Sequence, residues 1–404
     1  MKNCVERMKD NHTDEKIASF RVKQKMPYEF KVNYAYARAW EFYNECGSRG
    51  LNCHVSVGGL DSITLYLFLK SIGIHAPAIS VSYLEDRSIQ EVHRQLGITR
   101  LLSAIKPDGT HWNKVEIIRQ FGFPVLSKET AGKIELLQNP TPDNATVRHA
   151  IITGETGEYG GNRTGTRMKM SQKWLNAFAG SENERENVNY RIAPFKVSSK
   201  CCYYLKEKPC DDWAKENNSV PYLGLMASEH GRREKSLMMN GCNYFGATTI
   251  RSAPFAIFNR QDLLRLALEM EQYYNEHWEE FGTLEIDIDN GLEKYIKPTA
   301  KLESIVPKIY GTIERKPNGE LYTTRAQRTG CSMCGFGIHI EKRPHRFDRL
   351  REDNEKEWRF WMYDCCVDEK TGEHYGWGRV LDYIGVPWED RYIDWEERQI
   401  KFAV

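Results

Sequence analysis

From Leu51 onward, short apolar runs alternate with longer stretches whose apolar residues recur at helical spacing. Apolar residues dominate Leu51–Val57, Ala76–Tyr83 and Thr99–Ile105, and each run is followed by an amphipathic segment: Asp61–Ile72, Ser88–Leu96 and Trp112–Phe121. Short continuous apolar runs suit strands buried on both faces, whereas a 3.6-residue period suits helices. Strands separated by helices of roughly 10–15 residues predict βαβ units and a parallel sheet. Upstream, Phe30, Tyr34, Tyr36, Trp40, Phe42 and Tyr43 predict a helix over Tyr28–Cys46, while residues 1–25 are polar and read as helical or poorly ordered. Further along, the pattern predicts a helix at Lys200–Glu216, a strand at Val220–Met226, a helix at Gln261–Tyr274 and a last helix at Trp377–Ile384. The acidic run Leu284–Glu293 reads as a solvated edge or loop.

The rhythm breaks between Asn139 and Asn189, where Gly, Asn, Thr and Arg accumulate (GETGEYGGNRTGTRMKM). A connection that long is either a lid or binding insertion or a surface excursion without catalytic consequence.

Charge adds little to this picture. Lys and Arg number 57 against 56 Asp and Glu, so no global basic footprint points to nucleic acid. Neither the charged N-terminus nor any apolar stretch resembles a secretory signal or a membrane span, which predicts a cytoplasmic protein with no membrane partner. Eleven cysteines in such a chain read as reduced thiols and metal ligands rather than a disulfide framework. Cys4, Cys46, Cys53 and Cys242 read as small buried apolar residues.

Candidate chemistry begins where the first strand ends, at Ser56-Val57-Gly58-Gly59-Leu60-Asp61-Ser62. Paired glycines let the backbone approach a ligand, and N–H groups at the start of the following helix form an anion cradle. Asp61 and Ser62 suit the helix start, as caps or as contacts to Mg²⁺ and phosphate. A second constellation is the adjacent pair Cys201-Cys202 with Cys331-Ser-Met-Cys334 about 130 residues later. Four thiolates satisfy a [4Fe–4S] cluster or a Cys₄ zinc site, and an adjacent pair is atypical for zinc.

These segments together resemble the phosphoadenosine phosphosulfate (PAPS) reductase family. Ser56–Ser62 resembles the SGGxDS pyrophosphate loop that the family shares with GMP synthetase and ATP-dependent tRNA sulfur-transfer enzymes, with Val57 in place of the loop's first serine. Ala193–Cys202 (APFKVSSKCC) is similar to an APFK-S-KCC segment, and Gly330–Phe347 to a GCxxCGFG–H–E–RF segment. Phe123–Glu129 looks like an FP-x-x-SKE turn, and Gly224–Arg233 like a GxMAxExxxR strand-to-helix segment that retains Glu229 and Arg233. The resemblance spans about residues 50–360.

It implies a Rossmann-like α/β fold of the pyrophosphate-loop, adenine nucleotide alpha-hydrolase-like type. On this division residues 1–48 are a helical N-terminal segment, and 49–300 are the nucleotide-binding domain with an insertion at 139–190. Residues 301–404 then form a C-terminal segment that completes the cluster site. It implies a [4Fe–4S] cluster on Cys201, Cys202, Cys331 and Cys334, with ATP or APS/PAPS and Mg²⁺ bound by Gly58, Gly59, Asp61, Ser62, Glu229 and Arg233. Asp61, Ser62 and Arg233 are then the catalytic candidates. Assimilatory reductases of the family use a cysteine near the C-terminus; here no cysteine follows Cys366. Adenylation-dependent sulfur transfer is therefore the expected function, ahead of sulfonucleotide reduction. A third alternative is a non-catalytic protein that docks nucleic acid through Lys342, Arg343, Arg346, Arg349 and Arg351.

Overall fold

The computed structural model describes residues 4–155, 168–180, 191–229, 231–287, 292–296 and 300–388. The chain divides into two compact units, each made of two separated stretches: residues 1–102 with 208–331, and residues 103–207 with 332–404.

The first unit is an α/β structure around a mostly parallel six-stranded sheet. Its strand order is Thr99–Arg100, Ala78–Ser80, Asn52–Ser56, Ser219–Tyr222, Ile250–Ser252, Asn243–Phe245, and only the last strand is antiparallel to its neighbour. The central strand pairs on both sides, Val55 lying opposite Ala78 and Tyr222. A strand paired on both sides inside a parallel sheet needs both faces covered, and here Cys53, His54 and Val55 are all buried.

Two helices show how the sequence achieves that cover. In Tyr28–Ser48 the buried residues are Lys31, Ala35, Ala39, Phe42 and Cys46, a single stripe at three- and four-residue intervals. In Leu60–Ser71, by contrast, Leu60 and every residue from Ile63 to Leu69 are buried, so this helix runs through the core and not over it. The helix Arg260–His277 starts at a capping box in which Asn259 and Asp262 exchange side-chain and backbone hydrogen bonds. Asp262 also accepts from Lys31 Nζ at 2.7 Å, with both side chains almost wholly buried.

The second unit has its own core, centred on Phe123, Phe178, Phe347, Trp358 and Trp377. The ends of the 139–190 insertion belong to it. Helix Ala145–Thr153 buries Ile151 and Ile152, and helix Gln172–Phe178 buries Leu175 and Phe178. They are therefore structural, whereas the glycine-rich centre, residues 156–167, and residues 181–190 lie outside the described residues.

Of the two alternatives for the N-terminal stretch, the helix is the one formed, over Cys4–Gln24. Other local expectations need correction. The acidic run near 284–293 contributes two antiparallel strands, Thr283–Asp287 and Leu292–Ile296, with 288–291 outside the described residues. The strand expected over Val220–Met226 stops at Tyr222, because Leu223 N–H turns to the Ser252 carbonyl as the chain leaves the sheet. Helix Lys200–Glu216 contains a π-helical stretch at Tyr203–Glu207. Among the described residues no helix is long and apolar enough to cross a membrane.

Removing one member of a buried ion pair leaves the other charge uncompensated. Lys31→Ala is expected to destabilise the first unit by about 3–5 kcal/mol. Lys31→Met combined with Asp262→Asn should recover most of that loss, since Asn can still cap the helix. Equilibrium urea unfolding of the three proteins measures it; an unchanged Lys31→Ala midpoint contradicts it.

Candidate functional site

The first candidate site is the turn between strand Asn52–Ser56 and helix Leu60–Ser71, entirely within the first unit. The central strand has Ala78–Ser80 on one side and Ser219–Tyr222 on the other, so the turn leaves the sheet where successive connections diverge. Ligands of open parallel sheets bind in the crevice at that point, outside the carboxyl ends of the strands.

The turn closes on itself. Gly58 N–H donates to Ser62 Oγ at 2.7 Å, and the same hydroxyl donates to the Gly59 carbonyl at 3.0 Å. His93, buried, donates from Nε2 to the Gly58 carbonyl at 2.8 Å. Leu60 N–H donates to the Tyr310 hydroxyl at 3.2 Å, which shares a second hydrogen bond with Thr329 Oγ1 at 2.6 Å. Burial pushes the Tyr310 phenol up to about 12, and the Asp61 and Glu85 carboxylates add to the rise, so it stays protonated. Asp61 pairs with Arg260 at 3.2 Å. The other terminal nitrogen of Arg260, NH2, is buried without a hydrogen bond.

The glycines have different reasons for being there. A Cβ on Gly59 would collide with the Tyr310 hydroxyl, whereas one on Gly58 would meet only Ser62 Oγ at 3.9 Å. Gly224, in the loop after the neighbouring strand, approaches the start of the Leu60–Ser71 helix so closely that a Cβ would lie 2.9 Å from Ser62 N and 3.0 Å from the Asp61 carbonyl. Glu229 ends a short 3₁₀ turn after that loop and is half-buried. Arg233 is on helix Gly231–Asn240, and its side chain lies outside the described residues. Val57 packs in the core; a serine there would bury its hydroxyl.

Tyr310, Thr329, His93 and Arg260 escaped sequence reasoning. Tyr310 is 250 residues from Leu60 and Arg260 is 199 from Asp61. The one local signal was the Asn259 cap, which marks the helix that Arg260 begins.

The second candidate site is in the second unit, where three of the sequence motifs converge. Val125–Leu126 pairs in parallel with Gly335–Phe336, and Phe123 bridges to Val197. The Cys201-Cys202 segment and the segment that follows Cys334 therefore attach to the same short piece of chain, Phe123–Leu126. Gln138 fastens the first of them, accepting from Val197 N–H at 2.8 Å and donating to the Phe195 carbonyl at 3.1 Å. Ser198 donates to Glu135 at 2.8 Å. Arg346, paired with Glu341, donates to the Cys334 carbonyl at 3.2 Å.

Cys201 is buried, while Cys202, Cys331 and Cys334 are half-buried, and none of the four is in a disulfide. Cys201, Cys202 and Cys334 fall in the second unit; Cys331 is the last residue of the first. Burial pulls the Lys128 ammonium down, but the Cys202 sulfur and the Glu207 carboxylate beside it outweigh that and hold it above its ordinary value. A cation beside Cys202 suits a thiolate ligand. Among the described residues, no group of three or more His, Cys, Asp or Glu side chains is poised around a metal ion.

The basic run after the CxxC is largely occupied. Arg343 pairs with Asp348, Arg346 with Glu341, Arg349 donates to the Pro344 carbonyl, and Arg351 stacks on Trp358.

Gly59→Ala forces a methyl group against the Tyr310 hydroxyl and is expected to destabilise the first unit by about 1–3 kcal/mol. Gly58→Ala, with room for its methyl, should cost less than about 1 kcal/mol. Adding Tyr310→Phe should partly rescue Gly59→Ala, a coupling that a double-mutant cycle of unfolding free energies reads directly. Additive effects in that cycle contradict the contact.

Against known proteins, the chain matches no protein-family model, and neither a curated protein nor a solved structure is significantly similar to it.

Proposed function

We propose that the protein is a PAPS-reductase-like enzyme with a pyrophosphate-loop, Rossmann-like nucleotide domain, which binds ATP and carries out adenylation-dependent sulfur transfer. The observation that carries this reading is the position of Gly58–Ser62, at the carboxyl end of the central parallel strand and at the start of a buried helix. A helix N-terminus at that point of a parallel sheet favours an anionic ligand.

The hydrogen bonds of the turn suit a phosphate. Its Gly58 and Leu60 N–H groups are held by two neutral hydroxyls, those of Ser62 and Tyr310. A phosphate oxygen can take over from a neutral hydroxyl because a charge-assisted hydrogen bond is roughly twice as strong. Asp61 would contribute to a Mg²⁺ site, and the resemblance adds Glu229 and Arg233 to the nucleotide contacts, the Arg233 side chain lying outside the described residues. In the reaction an acceptor oxygen attacks the α-phosphorus of ATP, the α–β anhydride bond breaks, and pyrophosphate leaves. The residues of the turn orient the phosphates and offset charge as it builds on the leaving group.

Cys201, Cys202, Cys331 and Cys334 would hold a [4Fe–4S] cluster. Their sulfur donor set fits it, and Lys128 beside Cys202 offsets the charge of a thiolate ligand. When bound, the cluster supplies an iron that can carry sulfide. Sulfonucleotide reduction is the weaker reading, because it calls for a thiol that swings to the nucleotide, whereas Cys365 and Cys366 are buried in the second unit's core. Docking of nucleic acid by the basic run is weaker still, since most of its charges are already engaged.

Anaerobically purified protein is expected to carry about four iron and four sulfide per chain, and Cys202→Ser or Cys334→Ser to lose them. Stoichiometric zinc without labile sulfide contradicts the assignment. Gly58→Val is expected to weaken ATP binding in calorimetry at least tenfold, about 1.4 kcal/mol, without lowering iron content. A wild-type protein indifferent to ATP, APS and PAPS alike overturns the nucleotide reading.

A further inference from the structure

A cavity of about 860 Å³ opens in the second unit, and every residue that lines it belongs to that unit. Its interior is apolar. Ile118, Phe123, Leu137, Phe178 and Phe195 are members of the unit's buried core, and each forms part of the cavity wall. Edge-on aromatic contacts hold that wall, with Phe195 against Phe123 at 6.0 Å between ring centroids and against Phe178 at 6.3 Å. Gln138, also in the lining, donates to the Phe195 carbonyl at 3.1 Å.

The mouth is different. Lys196 and Lys370 line the cavity and are exposed, and among the described residues neither takes part in an ion pair. Arg119, exposed and in the same lining, donates from Nε to the Cys365 carbonyl at 2.7 Å and has no carboxylate partner among the described residues. Two acidic residues also line the cavity. Asp368 is already paired with Arg379 at 3.0 Å, which leaves Glu369 against three cations. Ile192 and Val367 are exposed apolar residues of the same lining.

We propose that this cavity binds an apolar carboxylate of the fatty-acid type, its hydrocarbon chain among the phenylalanines and its carboxylate at the basic mouth. Neither the nucleotide nor the cluster reading is needed for it. The volume falls in the range of pockets that hold small organic ligands, roughly 300–1,000 Å³.

Two features of the lining select this chemistry. The apolar interior rewards transfer of hydrocarbon out of water, by about fourfold in affinity for each fully buried methylene. The surplus of cations at the mouth selects the sign of the head group. An anion is attracted there, a cation is repelled, and a neutral head gains nothing from the charges. A carboxylate held at the mouth stays in contact with water, so no charge is buried without a partner.

The test is calorimetric titration of the full-length protein, at low ionic strength, with hexanoate, decanoate, decanol and decylammonium, each below its micelle-forming concentration. Decanoate is expected to bind saturably at a single site, at least about tenfold more tightly than hexanoate or decylammonium. It should also bind several-fold more tightly than decanol, and added salt should narrow that difference. Lys196→Glu combined with Lys370→Glu should weaken decanoate at least about tenfold and strengthen decylammonium. Val367→Trp, which places an indole at the mouth, should weaken decanoate and decanol alike. Absence of saturable decanoate binding overturns the proposal, as does decanoate bound no more tightly than decanol or decylammonium. Decanoate binding that neither variant weakens overturns it too. The four probes on the wild type decide the matter even if a variant fails to fold.

Discussion

Helix Leu60–Ser71 is buried on nearly every side, from Ile63 through Leu69 without interruption. A helix of that kind has no solvent face to slide along, and its neighbours determine its position to within the tolerance of a packed core. The central strand before it is held just as firmly, paired in parallel on both edges. The three residues between them, Val57–Gly59, must therefore span a fixed gap. This constraint places the glycine turn, and the loops around it adapt to it: Gly224 comes against Ser62, and Tyr310 comes against Gly59.

The turn is also where polar groups are brought inward. His93, Tyr310 and Thr329 all serve to satisfy backbone groups of the turn or one another, as buried donors and acceptors must be satisfied. Ser62 and Tyr310 supply hydroxyl partners for the Gly58 and Leu60 N–H groups.

The second unit follows a different logic. Among the described residues its strands are short, and its core is aromatic, with Phe123 in edge contact with Trp377 and Phe195. The short Phe123–Leu126 piece organises it by pairing with two remote segments, one leading to Cys201-Cys202 and one following Cys334. Side chains then complete the join, with Gln138, Glu135 and Arg346 each bonding a neighbouring segment. The basic residues that composition alone would offer to nucleic acid are used largely as internal fasteners.

Local chemistry was legible in the sequence. Alternation of apolar runs and amphipathic segments identified four of the six strands of the first unit's sheet, missing Asn243–Phe245 and Ile250–Ser252, together with the helices Tyr28–Ser48, Leu60–Ser71, Arg87–Gln95 and Arg260–His277, because burial on a sheet or along a helix stripe leaves a short period in the chain. The glycine pair after the first strand and the cysteine motifs were equally local signals. Strand ends were less legible: Ala76–Tyr83 and Thr99–Ile105 shrink to Ala78–Ser80 and Thr99–Arg100, since apolar residues beyond a pairing partner remain buried without remaining in the sheet. What only the tertiary structure decided were the long-range closures. The partnership of Tyr310 with Leu60, of Arg260 with Asp61 and of Arg119 with the Cys365 carbonyl joins residues 199 to 250 positions apart. Nothing periodic links such positions. They meet because two separately determined elements pack side by side, and the packing, not the local sequence, selects which polar groups face each other.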